Sequence, residues 1–213
     1  MDKSQSVSCI VPVYNNEKTV EGVLKTILNT KLISEVIVVD DGSTDKTYEV
    51  IKKYQGKVKI FKNNTNLGKG AAFVEGYKLA RGKYILTCDA DHKNLKIEHL
   101  QSIINEFFNG NHHMVLGARE SDKGWGALMA QISGERMFEK NSIKKYLNLI
   151  KSSRYGMEQI INHAHKGGGI KVVVSKDIGH LLKYKRGNVP VWIKDYLTQI
   201  YQMLKTAWIL RKY

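Results

Sequence analysis

Short runs of β-branched and apolar residues alternate with amphipathic stretches through about the first 120 residues of the chain. That alternation calls for βαβ units around a mostly parallel sheet, and so for an α/β fold. Val7–Val13 reads as the first strand. Val20, Val23, Leu24, Ile27 and Leu28 then recur at i, i+3, i+4, i+7 and i+8, an apolar stripe on one helix that Asn15 or Asn16 can cap. Glu35–Val39 is a second strand, and Asp45 is placed to cap a helix running through Tyr54. Val58–Phe61 is a third strand, after which the turn Asn66-Leu67-Gly68-Lys69-Gly70 opens a helix to about Ala80. Tyr84–Cys88 is the next strand, followed by an amphipathic helix over Ile97–Phe108 and a strand over Met114–Gly117.

Beyond about residue 120 the alternation weakens. Ser133-Gly134-Glu135-Arg136 leads into a helical stretch, a helix over Tyr155–His165 is stopped by Gly167–Gly169, and Lys171–Val174 is a strand. From Trp192 to Tyr213, one helical stripe carries Ile193, Tyr196, Leu197, Ile200, Leu204, Ala207 and Trp208, with Lys194, Lys205, Arg211 and Lys212 off it. The expected organisation is one α/β domain over residues 1–188 and an amphipathic helix over 189–213. That helix can pack on its own domain, meet a partner helix or second copy, or lie in a membrane interface. Trp192, Tyr196, Tyr201, Trp208 and Tyr213 suit a headgroup boundary.

Composition narrows the class. With 42% hydrophobic residues in 213, the chain buries a core without staples, which excludes disorder. Cys9 and Cys88 both fall in strand-like runs and read as buried, reduced thiols. Met1–Ser6 is polar, with no apolar signal core, and no stretch reaches the roughly 18 apolar residues of a membrane span. The expectation is a cytoplasmic protein, at most peripheral at the cytoplasmic face of the membrane. A net charge of +14 calls for an anionic partner: nucleic acid, phospholipid headgroups or a phosphorylated substrate.

In open α/β sheets ligands bind beyond the carboxyl ends of the strands. There the chain places Pro12-Val13-Tyr14-Asn15-Asn16-Glu17, then Asp40-Asp41-Gly42-Ser43-Thr44-Asp45, then Asp89-Ala90-Asp91. Two carboxylates at i and i+2 after a strand end repel unless a cation lies between them, so a divalent ion, Mg²⁺ or Mn²⁺, is the economical reading.

Val-Pro-Val-Tyr-Asn-Asn-Glu at 11–17, Val-Val-Asp-Asp-Gly-Ser-Thr-Asp at 38–45, Asn-Leu-Gly-Lys-Gly at 66–70 and Asp-Ala-Asp at 89–91, in this order, closely resemble family 2 glycosyltransferases. The likeness is strong over roughly residues 7–120. Ser-Gly-Glu-Arg at 133–136, Gly156-Met157-Glu158 and Ile178-Gly179-His180 followed by Lys183 resemble the dolichyl-phosphate mannose synthase-like branch, less specifically. The resemblance implies a GT-A fold and inverting transfer from a UDP- or GDP-linked sugar. It implies that Pro12, Tyr14, Asn15 and Glu17 line the base and ribose pocket, that Asp41 binds base or ribose, and that Gly68, Lys69 and the backbone of Gly70 lie near the diphosphate or base. Asp89, Ala90 and Asp91 match the metal-binding DxD, with His180 a candidate metal or phosphate ligand.

The acceptor divides the readings. A polyprenyl phosphate is already ionised and needs cations rather than a base, which makes Arg119, Arg136, Lys183 and Lys185 candidates with Ser133 as a donor. A saccharide hydroxyl needs a carboxylate to take its proton, and Glu158 is then the choice, although a first-turn helix glutamate is also simply favoured by the helix dipole. The absence of a Gln-x-x-Arg-Trp motif disfavours chain elongation, and Lys93 stands where some lipid-phosphate relatives carry a further polar metal ligand. A non-catalytic basic module for RNA or anionic membrane is the reading from another class. The chain lacks zinc and RNA-recognition signatures, so no nucleic acid is expected. Tyr14-Asn15-Asn16-Glu17 after the first strand also speaks against a nucleotidyltransferase and a Rossmann dehydrogenase.

Overall fold

The alternation is realised as a seven-stranded sheet with helices on both faces, in a computed structural model that describes residues 5–119, 133–176, 179–180 and 189–212. In chain order the strands are β1 (Val7–Val13), β2 (Glu35–Asp40), β3 (Lys59–Lys62), β4 (Tyr84–Thr87), β5 (His92–Lys93), β6 (Met114–Arg119), β7 (Arg136–Glu139), β8 (Ile170–Ser175) and β9 (Gly179–His180). The large sheet has the order β3-β2-β1-β4-β7-β6-β8, and only β7 runs against its neighbours. The two-residue strands β5 and β9 pair apart from it, His92 opposite His180.

The helices are α1 (Val20–Asn29), α2 (Thr47–Lys52), α3 (Lys69–Leu79), α4 (Ile97–Asn109), a 3₁₀ stretch Lys140–Tyr146 running into α5 (Leu147–Ser152), α6 (Met157–Ala164) and α7 (Val189–Leu210). Alternate residues of each central strand feed two cores. Cys9, Val11, Val36 and Val38 pack with Leu24, Ile27, Leu100 and Ile104 of α1 and α4. Ile10, Ile37 and Val39 pack on the other face with Phe73 of α3, Ile150 of α5 and Ile160 of α6. The period of two in the strands and 3.6 in the helices is what allows both faces to be covered. Cys9 and Cys88 are both buried free thiols, as expected, and burial raises the pKa of each.

Several local expectations are corrected. Neither Asn15 nor Asn16 caps α1 through its side chain; the Asn16 carbonyl accepts from Thr19 and Val20 N–H, while both side chains serve the neighbouring loops. The helix after Asp45 stops at Lys52, short of Tyr54, although Asp45 does accept from Thr47 N–H at 2.9 Å. Arg136–Glu139 is a strand where a helical stretch was expected.

The last helix forms as expected, and over residues 201–210 its side chains divide between a buried and an exposed side. Thr206 is buried against α6 and Leu210 packs on the second core. Leu204 and Trp208, from the apolar stripe, are 66% and 58% exposed, and Tyr201 is 62% exposed. Among the described residues no helix is long and apolar enough to cross a membrane.

Candidate active site

Because β2, β1 and β4 are adjacent and parallel, their carboxyl ends deliver Asp40-Asp41, Tyr14–Glu17 and Asp89–Asp91 to one edge. β7 runs the other way, so its amino end lies at that edge too, with Arg136 opposite Thr87 and Ser133–Glu135 beside Asp89. Arg119 ends β6 there, paired with Ser175 of β8.

The first two loops are laced together by short polar side chains. Asn15 N–H donates to Ser43 Oγ at 3.0 Å and its Oδ1 accepts from Thr44 N–H at 2.9 Å, while Glu17 Oε2 accepts from Lys46 N–H at 3.0 Å. Asn15 sits at φ 51°, a left-handed conformation that asparagine tolerates because its side chain can satisfy nearby amides. Pro12 lies within β1 opposite Val39, and Tyr14 is 40% exposed beside these loops. Asp41 is buried: one oxygen accepts from Asn63 Nδ2 and Leu67 N–H, the other from Gly68 N–H at 2.7 Å. Its carboxylate therefore ties β2 to the turn that begins α3.

That turn is built for close packing. A Cβ at Gly70 would lie 2.1 Å from the Ile150 carbonyl, and one at Gly68, where φ is +99°, would meet Arg154 at 3.0 Å. Gly70 N–H donates to the Arg154 carbonyl at 3.0 Å. The Gly68 and Gly70 amides, expected to lie toward a diphosphate, thus already have protein acceptors. Lys69 is the polar group that this turn sends into the site.

Lys69 Nζ is 2.6 Å from Asp89 Oδ1 and 2.6 Å from Glu158 Oε1. Burial opposes the charge on Lys69, but the two carboxylates outweigh it and raise the pKa. Burial likewise pushes Glu158 up, and Lys69 and Arg136 overcome it, leaving its carboxyl below the usual range. Glu158, expected as a base if the acceptor is a hydroxyl, is a nearly buried carboxylate paired with the Lys69 ammonium. Arg136, expected on the acceptor side, is fully buried, with Nε donating to Asn162 Oδ1 at 3.2 Å.

The acidic loop is braced from several sides. Thr19 Oγ1 donates to the Ala90 carbonyl at 2.7 Å, and a Cβ on Gly134 would fall 2.1 Å from Asp89 Oδ2. His92 Nε2 meets Glu135 Oε1 in a buried contact, and Ser133 Oγ donates to Glu135 Oε2 at 2.9 Å. Burial pulls the His92 pKa down, but the Glu135 carboxylate prevails and holds it at about 9. His92 and Glu135 escape sequence reasoning as functional candidates because they are 43 residues apart and neither is distinctive alone. The signal was only their adjacency to Asp91 and their place within Ser-Gly-Glu-Arg. The β5–β9 pairing brings His180 to the same loop; for His180 and Arg119 the described features are those of the backbone. Lys183 and Lys185 lie outside the described residues.

Residues 8–175 match the family model for glycosyl transferase family 2. The chain belongs to that family. Among curated members of glycosyl transferase family 2, a dodecaprenyl-phosphate galacturonate synthase of Rhizobium johnstonii is 28% identical over 82% of this chain and 64% of its own length. A dolichyl-phosphate beta-glucosyltransferase of Trichomonas vaginalis is 31% identical over 55% of this chain. The chain thus spans 64% of the length of the first relative and 41% of the second. The fold matches glucosyl-3-phosphoglycerate synthase from Mycobacterium tuberculosis, solved with Mn²⁺, UDP and phosphoglyceric acid, at TM-score 0.76 and 18% identity over 97% of this chain and 78% of that one. The expected GT-A architecture is therefore the one observed.

Proposed function

We propose that the chain transfers a sugar from a nucleoside-diphosphate sugar to a polyprenyl phosphate, with Mg²⁺ or Mn²⁺ held at the Asp89–Asp91 loop. The observation that carries the acceptor half is the clamped Glu158. Its carboxylate is paired with Lys69 at 2.6 Å and its pKa is lowered, so it takes a proton from a sugar hydroxyl poorly. A phosphate oxygen arrives already ionised and asks for no base. The names of the two curated relatives, both of them enzymes of polyprenyl or dolichyl phosphate, support the same acceptor class.

The donor half follows from the sheet edge. Tyr14, Asn15 and Glu17, with the Asp40–Asp45 loop laced to them, form the wall against which a base and ribose fit, and Asp41 positions the Gly68–Gly70 turn rather than presenting a free carboxylate. Asp89 and Asp91 offer the hard oxygen donors that Mg²⁺ and Mn²⁺ prefer, and Gly134 keeps the space beside Asp89 free of any side chain. The bound ion supplies charge stabilisation to the departing diphosphate. Lys69 adds a fixed positive charge at the same place. On the acceptor side Ser133, Arg119, Lys183 and Lys185 are the proposed phosphate contacts, with Arg136 supporting from below.

Membrane association accompanies this reading. The exposed Tyr201, Leu204 and Trp208 stand beside Lys205, Arg211 and Lys212, a pattern suited to an anionic lipid surface, and a lipid-linked acceptor is met there.

The test combines melting with transfer. UDP, GDP, CDP and dTDP are each added with and without Mn²⁺, to wild type and to Asp89→Asn/Asp91→Asn. One diphosphate is expected to raise the melting temperature only with metal, and only in the wild type. The corresponding sugar nucleotide is then expected to label undecaprenyl phosphate but not free oligosaccharide. Labelling of the oligosaccharide alone would transfer the assignment to a saccharide acceptor. No shift with any nucleotide at millimolar concentration would replace the enzyme by a basic binding module.

A further inference from the structure

Lys69 occupies the place where the acidic loop and the diphosphate are proposed to meet. Its Nζ lies 2.6 Å from Asp89 Oδ1 on one side and 2.6 Å from Glu158 Oε1 on the other. The two partners are not equivalent. The Glu158 side chain is 9% exposed and sits beside the buried Arg136, whereas Asp89 and Lys69 are each 23% exposed at the open edge. The ammonium in contact with Asp89 Oδ1 competes with any second cation for that oxygen. An ion bound about 2.0–2.1 Å from that carboxylate would also stand within a few ångströms of a fixed like charge.

We propose that Lys69 is a built-in counter-ion for Asp89, one that yields the carboxylate to a divalent ion only when a nucleoside diphosphate supplies a replacement anion. The inference rests on the reading of Asp89 and Asp91 as metal ligands and concerns how that site is regulated. Two further observations support it. The Gly68 and Gly70 amides are committed to Asp41 and Arg154, which leaves the Lys69 ammonium as a group at this turn that a diphosphate can engage. Glu158 holds Lys69 from behind, so Nζ can leave Asp89 without losing all anionic contact. Metal and nucleotide then bind with positive coupling, and linkage makes the coupling the same whichever arrives first.

The experiment measures Mn²⁺ affinity by electron paramagnetic resonance of free Mn²⁺, with and without UDP, after subtraction of the Mn²⁺ held by UDP in solution. GDP replaces UDP if the melting panel selects it. Wild type is expected to bind Mn²⁺ at least tenfold more tightly in the presence of the diphosphate. Lys69→Met is expected to bind Mn²⁺ alone at least tenfold more tightly than wild type does, with the coupling reduced toward unity. Because Lys69→Met leaves Glu158 buried without its ammonium, the double variant Lys69→Met/Glu158→Gln removes both charges together and is expected to behave the same way. Equal Mn²⁺ affinity with and without nucleotide in the wild type overturns the proposal and needs no variant. So does coupling that persists undiminished in the double variant. If the wild type retains no Mn²⁺ under any condition and Asp91→Asn matches it, the metal reading itself fails; tight Mn²⁺ binding abolished by Asp91→Asn but indifferent to Lys69 sinks only the counter-ion role.

Discussion

A methyl group on residue 134 would collide with the Asp89 carboxylate, 2.1 Å from Oδ2 and 2.4 Å from Oδ1. Gly134→Ala is therefore expected to turn Asp89 away while the fold survives. Calorimetry should show the melting temperature of the free protein within a few degrees of wild type, and nucleotide-dependent Mn²⁺ binding weakened at least tenfold. Asp91→Asn is expected to lower transfer at least 100-fold, about 3 kcal/mol of transition-state stabilisation, as measured by sugar-nucleotide turnover at saturating donor. At this scale the sequence is readable in position: its motifs put Asp89 and Asp91 just past a strand end, and that is where β4 leaves them. It was not readable where a residue's role depends on a distant partner. Glu158 reads either as a base or as a plain first-turn glutamate, and its pairing with the ammonium of Lys69, 89 residues earlier, is visible only in the fold. His92 and Glu135 acquire meaning only when β7 brings them together.

Among the elements, the edge of the sheet opposite the site is pinned by one side chain. Glu35 at the start of β2 accepts from Ser8 Oγ and Arg81 N–H at 2.5 Å, and from Lys59 Nζ at 2.5 Å, joining β1, β2, β3 and the turn before β4. Burial works against its charge, but the hydrogen bonds from Lys59 and Ser8 prevail and lower its pKa below the ordinary 4.5. A carboxyl that titrates lower when folded contributes its full stabilisation above about pH 4.5 and loses it as the pH falls through the folded value. Glu35→Gln is expected to cost about 1–3 kcal/mol at pH 7 and to flatten the fall in stability below pH 4.5, followed by urea unfolding across pH 3–7. The βα units of the first half were legible because each strand and helix carries its own period. β7 was not: Arg136-Met-Phe-Glu is four residues with no alternation, and it is a strand because β4 and β6 hydrogen-bond it from both sides. Which side of α7 meets the domain was left open by the sequence for a related reason. Gly156, just before α6, leaves room for Thr206, and the helix settles there.

For the whole molecule, α7 joins chemistry to surface. A Cβ on Gly156 would lie 2.1 Å from Thr206 Oγ1, so Gly156→Val is expected to loosen α7 without unfolding the sheet. Limited proteolysis should then cut within 189–212 at least tenfold faster, while the main melting transition moves little. The exposed face makes its own prediction. Trp208, with Lys212 Nζ 4.2 Å above its ring, and Leu204 are expected to carry sedimentation with phosphatidylglycerol vesicles; Leu204→Ser/Trp208→Ser should abolish most of it, and 0.5 M salt should weaken it in the wild type. Binding by neutral vesicles alone, indifferent to salt, would contradict the electrostatic part.

The reversed strand has a consequence of another kind. Leu116 of β6 and Arg136 of β7 are direct neighbours, so the connection between β6 and β7 leaves from and returns to the rim where the acidic loop lies. A residue exchanged at 133–136 therefore alters that rim while β1, β2 and β4, which present their carboxyl ends to it, are left as they are. One antiparallel strand thus lets the ground beside the acidic loop vary independently of the three parallel strands next to it.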